Sequence, residues 1–539
     1  MNGCRVAYAL GLIGFVAVPL LMPFGGLAKQ ETWAWTSGDG DRLFHLTLHT
    51  VMLTAATIAL ALPAGVGLAV LLFRTSFFGR RTLLFLVALA LFVPLPVTVS
   101  SWQALLGADG LGFWRVTARP WATGLGPAIW IHAIAAVPWV AFIVGLGLTW
   151  VEPELEEEAA QSVGSWRVLA LVTLPRARSS VWAAALFVLL QTASETNVTD
   201  IMLVPTLADE VRTQFGPGNR PALVRALVLA LPSLLLTWVA VLAVLSHLEK
   251  RMPPMAPPNR GRRSLDVGPP WLRGVGGVLV LLLLLAPLCS LAWMLGLSGH
   301  PRQWTSDVAW NYIQAETIVK GKELSAALAT ALVTGLAIAI LALTGCWLAR
   351  ERAWFRWLLF SVLTWAWVLP GPAVGIGLRD VIMQLPEGPW KVLLYYGSSP
   401  APIMWAQTIR VLPIAVIFFW PVVRMIPRTA FEEARLAGAN ALGEFLHIVL
   451  PMTWRAILVT ALAAAALCLG EVAASSRVET AGRWSSFATL LLDRMHYRVD
   501  NSLAALSLLL LASLGALGLM FGGLGKLIGF FSQRYTPRG

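Results

Sequence analysis

The chain has 539 residues, 57% of them hydrophobic and 13% charged, with a mean hydropathy of +0.72, which is too apolar for a water-soluble domain and predicts a polytopic helical membrane protein. The formal net charge of +12 is spread over short loop clusters instead of one domain or helix face, so it predicts loops anchored at a membrane surface and no nucleic-acid partner. Cys4, Cys289, Cys346 and Cys468 stand alone in apolar contexts without ligand spacing, which argues against a disulfide framework or a metal site.

Twelve apolar segments reach spanning length, at about 6–28, 46–73, 82–106, 125–150, 178–203 and 223–247, then 274–297, 324–349, 356–378, 401–423, 453–476 and 502–525. The first has a longer apolar body than a signal peptide and reads as a retained span. Residues 250–273 are basic and proline-rich without an apolar period, so they read as a linker between a first lobe, 1–249, and a second, 274–539. Lysine and arginine favour the loops on the side of the N-terminus, which predicts both termini in the cytoplasm.

The two halves repeat. Arg74, Pro94, Pro96 and Pro175 recur about 275 residues on as Arg350, Pro370, Pro372 and Pro451, and Trp130 and Pro138 recur as Trp405 and Pro413. Six spans return a chain to its starting side, so the copies are predicted to be parallel, with a pathway between them. The prolines inside apparent spans predict bent helices, either lining that pathway or as packing kinks.

Within each half a polar stretch stands out, most clearly at 431–451, FEEARLAGANALGEFLHIVLP. Glu432, Glu433 and Ala434 open a short helix, where carboxylates favour the positive dipole end. Gly438 permits a sharp turn, a second amphipathic run carries Phe445, Leu446 and Ile448, and Leu450–Pro451 starts the next span. A diverged copy has Glu158, Ala159, Ala160 and Gly164, with Leu174–Pro175 arriving two residues early. Each copy predicts a helix-turn-helix knob at the membrane surface.

No Walker A sequence occurs, so the chain is not expected to be its own ATPase. His45 and His49 share a helix face without a third ligand nearby, and interfacial anchoring is the preferred reading. Glu195 and Glu471 each follow a Leu-Pro by 20 residues and lie inside predicted spans, as does Arg410, which has no counterpart in the first half. Buried charges in a bilayer need partners or a wet pathway, so Arg410 is predicted to pair with Glu471 and Glu195 to face the pathway; the alternative is that both glutamates cap or pack between helices.

The duplicated stretch resembles the EAA loop of binding-protein-dependent ABC transporter permeases, on Glu158, Ala159, Ala160, Gly164, Leu174 and Pro175 in the first copy and Glu432, Glu433, Ala434, Gly438, Ile448, Leu450 and Pro451 in the second. Residues 193–200 and 469–475 also look like segments of double-length permeases of the ferric-iron and thiamine type. The resemblance implies an all-α fold of MetI-like lobes and a non-enzymatic transport subunit in the bacterial inner membrane, with no cofactor of its own. It further implies two cytoplasmic ABC ATPases that use ATP beneath the two knobs, and a periplasmic binding protein delivering solute. Ferric iron is the first expectation for the solute; thiamine, phosphonate, sulfate and polyamine are alternatives, and a proton-driven secondary transporter is the rival class.

Overall fold

The computed structural model describes residues 2–28, 38–75, 77, 79–91, 93–106, 123–214, 220–251, 271–299, 303–479, 486–497 and 500–534. Most of the linker predicted at 250–273 therefore lies outside the described residues. The described chain is helical apart from one two-residue antiparallel pairing, Leu297–Ser298 with Gln303–Trp304. Among the described residues nine helices are long and apolar enough to cross a membrane, or up to eleven if each of two bent pairs is one span.

The twelve predicted spans differ from this in four places. The segment predicted at 178–203 is split into Arg178–Ala193, 16 residues, and the short helix Asn197–Ile201, because the backbone breaks at Ala177 and again at Ser194 to Thr196, leaving the longer piece shorter than the roughly 20 residues a span needs. The prolines predicted to bend helices break two of them outright: Arg80–Ala90 meets Leu95–Gln103 at 98°, and Ala353–Val368 meets Gly371–Gln384 at 110°. In the second break Pro370 occupies the N-cap and Pro372 the first turn of the new helix, where a missing N–H costs nothing. By contrast Pro138 and Pro413 remain inside continuous helices. Finally, the span predicted at 324–349 begins earlier, as part of a 44-residue helix, Ser306–Ala349. At 1.5 Å per residue that helix is about 66 Å long, roughly twice a hydrocarbon core.

The first helix of each half packs on the other half. The N-terminal helix, Asn2–Gly25, lies against Ala353–Val368 and Gly371–Gln384. Tyr8 Oη donates to Leu341 O at 2.8 Å, Trp405 Nε1 donates to Phe15 O at 2.8 Å, and the Phe15 and Trp405 rings stack. Reciprocally, Trp271–Gly296 lies against Leu95–Leu106, where Ser290 Oγ donates to Ser101 O at 2.5 Å. Between the halves Trp139 and Phe187 from one side meet Phe418 and Trp367 from the other. Aromatic rings suit this seam because they bury large apolar area with few rotors to fix.

Irregular backbone from both halves converges in the interior. Pro94, at the first break, lies 3.8 Å from where a Cβ on Gly470 would stand, and Gly371, just after the second break, faces Ala473 so closely that a Cβ there would be 2.4 Å from it. Within a bilayer, broken helices persist only where protein or a water-lined cavity satisfies the freed backbone groups.

Candidate functional site

Both predicted knobs are helix-turn-helix units. The first runs through Pro153–Ser162, turns at Val163 and Gly164, and continues as Ser165–Val168. The second runs through Arg428–Leu436, so that Glu432 and Glu433 lie past its first turn and do not open it as predicted, because Pro427 starts the helix earlier; it turns over Ala437 to Asn440 and continues as Ala441–Glu444. The two-residue deficit of the first copy thus falls in the turn, and the helices either side keep their places. In both knobs a single π-helical turn follows, Leu169–Thr173 and Phe445–Val449. Such turns in a helix recur at functional sites.

The two turns are built differently. Gly438 has a φ of +83°, the left-handed conformation in which glycine avoids a Cβ clash. Asn440 then caps the next helix, its Oδ1 accepting from Gly443 N at 2.8 Å. Gly164 has a φ of −65°, open to any residue, so the turn role predicted from glycine holds for the second knob and not the first.

Of the residues predicted for coupling, Glu158, Gly164, Pro175, Glu432, Glu433, Gly438, Leu450 and Pro451 are exposed, and Ala159, Ala160, Leu174, Ala434 and Ile448 half-buried. Around them large apolar side chains stand open, Leu171 at 67% and Leu442 at 64% exposure among them. Carboxylates, small residues and unpartnered apolar side chains on a short projecting helix form a surface that a soluble partner's groove can bury.

Sequence reasoning missed what fastens the knobs. In the first, Glu156 is fully buried; its Oε2 lies 3.1 Å from Arg74 Nη1 and its Oε1 accepts from Thr173 Oγ1 at 2.7 Å. Burial pushes the Glu156 carboxyl up, against the opposing pull of Arg74 and Thr173. In the second, Arg350, the counterpart of Arg74, lies over the Phe431 ring with Cζ 4.0 Å from its centre. The charged contact there belongs to Arg435, whose Nε donates to Glu444 Oε1 at 2.7 Å and whose Nη2 donates to Glu351 Oε1 at 2.6 Å. The Arg74–Arg350 correspondence was visible in the sequence, but their partners lie too far along the chain to be paired by spacing.

Glu195 and Glu471 occupy the predicted equivalent places, each just beyond the helix that follows its knob. Glu195 accepts from Asn197 N at 2.6 Å and Val198 N at 2.8 Å, and Glu471 accepts from Ala474 N at 2.8 Å and Ser475 N at 3.0 Å. Each carboxylate therefore caps the short helix after it. Arg410 does not pair directly with Glu471: its Nη1 donates to Ala366 O at 3.0 Å and Leu369 O at 2.9 Å, the carbonyls freed where Ala353–Val368 ends. This corrects the predicted ion pair, because the helix break supplies acceptors and the glutamate is already occupied by backbone N–H groups. Glu195, predicted to be the freer carboxylate, is the more buried of the two and has His132 Nε2 at 3.8 Å. His49 Nδ1 lies 3.2 Å from Pro205 O.

No protein-family model matches the sequence. Over 176 residues the chain is 33% identical to a Haloferax volcanii protein, a match covering 32% of this chain and 64% of that protein. That relative is described as a probable molybdenum ABC transporter permease protein. The chain thus matches less than two thirds of its relative's own length.

Proposed function

We propose that this chain is the membrane-spanning permease subunit of an ABC importer, moving a solute delivered by a periplasmic binding protein and driven by two copies of a separate cytoplasmic ATPase. The observation that carries the reading is the pair of helix-turn-helix knobs, each fastened to the end of a long span through an arginine–carboxylate contact, Arg74 with Glu156 and Arg435 with Glu351. A knob so fastened can pass a push from a docked subunit into the spans. The similarity to a permease supports the same class. In this reading the two halves are parallel MetI-like lobes in the bacterial inner membrane with both termini cytoplasmic, and the chain is not itself an enzyme.

For the solute, the ferric-iron expectation rests on residues 193–200 and 469–475, and their glutamates are occupied as helix caps. The relative's description names molybdenum, which we place ahead of ferric iron. The proton-driven alternative relied on free carboxylates in the spans, and the same capping weakens it.

Removing the chain from its host and measuring cellular molybdenum and iron under limiting supply tests the solute. A selective fall in molybdenum supports this reading, a selective fall in iron restores ferric iron, and no change in either rejects both. Uptake that persists after a protonophore collapses the proton gradient, but stops on ATP depletion, supports the importer. The opposite pattern rejects it.

A further inference from the structure

The second knob is joined to the N-terminal helix by a continuous run of charges, and among the described residues no such run reaches the first knob. Arg5, only 2% exposed, donates from Nε to Leu348 O and from Nη2 to Glu351 Oε2, each at 3.1 Å. Glu351 turns its other oxygen to Arg435, at 2.6 Å, and Arg435 reaches on to buried Glu444 in the second half of the knob. One carboxylate is thus held between an arginine of the first helix and an arginine of the knob. In the first half the residue matching Glu351 is Thr75, whose Oγ1 is turned back to Leu71 O, and the residue matching Glu444 is Val168, which is buried and apolar.

The same helix touches the broken span at its other end. Pro19 lies fourteen residues after Arg5, about 21 Å along a helix, and its carbonyl oxygen would be 2.0 Å from a Cβ on Gly377, in the segment Gly371–Gln384 that restarts after the 110° break. That segment packs on Ala474 and Arg477, directly after the Glu471 cap. Between the two ends Tyr8 and Phe15 fix the helix to the second lobe. Packed helices shift as bodies more readily than they deform, so a displacement imposed on one end reaches the other.

We propose that the N-terminal helix is a strut between the second knob and the mid-membrane break, with Arg5 as the positioning residue that fastens it through Glu351 and Arg435. Among the described residues the two knobs are tied differently: the second to a helix from the opposite half, the first through Arg74 to its own half. The role in transport rests on the importer reading; the fastening itself does not.

Hydrogen exchange on the full-length protein in lipid nanodiscs tests the fastening. In Arg5→Gln, exchange across 428–449 should quicken by about tenfold while 153–176 stays unchanged, because only the second knob loses a tie. Unchanged exchange in 428–449, or an equal rise in both knobs, overturns the proposal. Should Arg5→Gln fail to insert, Arg435→Gln makes the same test from a side chain nearer the surface, with the same outcomes. In the transporter reconstituted with its ATPase and binding protein, Arg435→Gln should raise the ATP hydrolysed per solute moved by about threefold, a change that a purely structural tie would not produce. An unchanged ratio alongside quickened exchange overturns the role in transport. If the wild-type assembly shows no ATP dependence, the importer reading fails instead, and the exchange measurement still decides the fastening.

Discussion

Arg74 Nη1 lies 3.1 Å from Glu156 Oε2 with both side chains almost wholly out of solvent, and this pair fixes the first knob to the end of its span. Removing one member of a buried pair strands the other charge, at a cost of about 3–5 kcal/mol, whereas replacing both by apolar groups of similar size is often neutral. Glu156→Gln should therefore lower the thermal midpoint of the detergent-solubilised protein clearly, and Arg74→Met with Glu156→Leu should recover most of the loss. A double variant as unstable as the single one would show that the pair does more than hold its own charges.

The two glycines of the knobs should behave differently. Gly438 sits at φ +83° with nothing within 4 Å of a Cβ, so substitution there is a matter of backbone strain and not of space. Gly438→Val should destabilise the turn by about 1–2 kcal/mol, while Gly164→Val, at an ordinary φ with equally open surroundings, should be close to neutral. Limited proteolysis at the two turns measures this directly; equal susceptibility of the two variants would contradict it.

Arg410 and Glu471 should not rescue each other. Arg410→Ala strands the carbonyls of Ala366 and Leu369, and Glu471→Gln weakens the cap of Ser475–Val478 by about 1 kcal/mol, through separate partners. The double variant is predicted to be worse than either single variant in folding yield. Recovery in the double variant would restore the direct pair.

The second knob's tie should withstand mild acid. Burial raises the Glu351 carboxyl, but Arg435 and Arg5 outweigh it and hold the group below the ordinary carboxylate range. A depressed folded pKa contributes stability that is full above the unfolded value and is lost as pH falls through the folded one. Protection factors in 428–449 should accordingly stay level from pH 8 to pH 5 and fall only below the usual glutamate pKa of about 4.3. A decline centred near pH 6 would point to a different group.

The knobs were legible in the sequence as short polar stretches ahead of an apolar run, with Gly438 as the local turn signal; their helix boundaries were not, since Glu432 and Glu433 lie beyond the first turn of Arg428–Leu436 and Leu450–Pro451 lie inside the span Ala441–Gly470. The spans were legible from apolar length, except where a short-range event ended them early. Pro370 and Pro372 fit either a kink or a full break, and only the packing of Gly371 on Ala473 favours the break. The cap that Glu471 gives Ala474 and Ser475 was local too, yet the rarity of a carboxylate in a span directed attention to a distant arginine. Arg5 and Glu351, 346 residues apart, carry no spacing signal; their meeting depends on the first helix crossing to the other half.

The most direct measurement of the importer reading places a photo-crosslinking amino acid at Leu171 in one set of cells and at Leu442 in another, the exposed apolar side chains of the two knobs. After irradiation of intact cells the crosslinked partner is identified by peptide mass spectrometry. The account predicts that both positions capture one and the same polypeptide, and that it carries a Walker A sequence. Capture at neither position, or capture only of proteins without a nucleotide-binding motif, would contradict it.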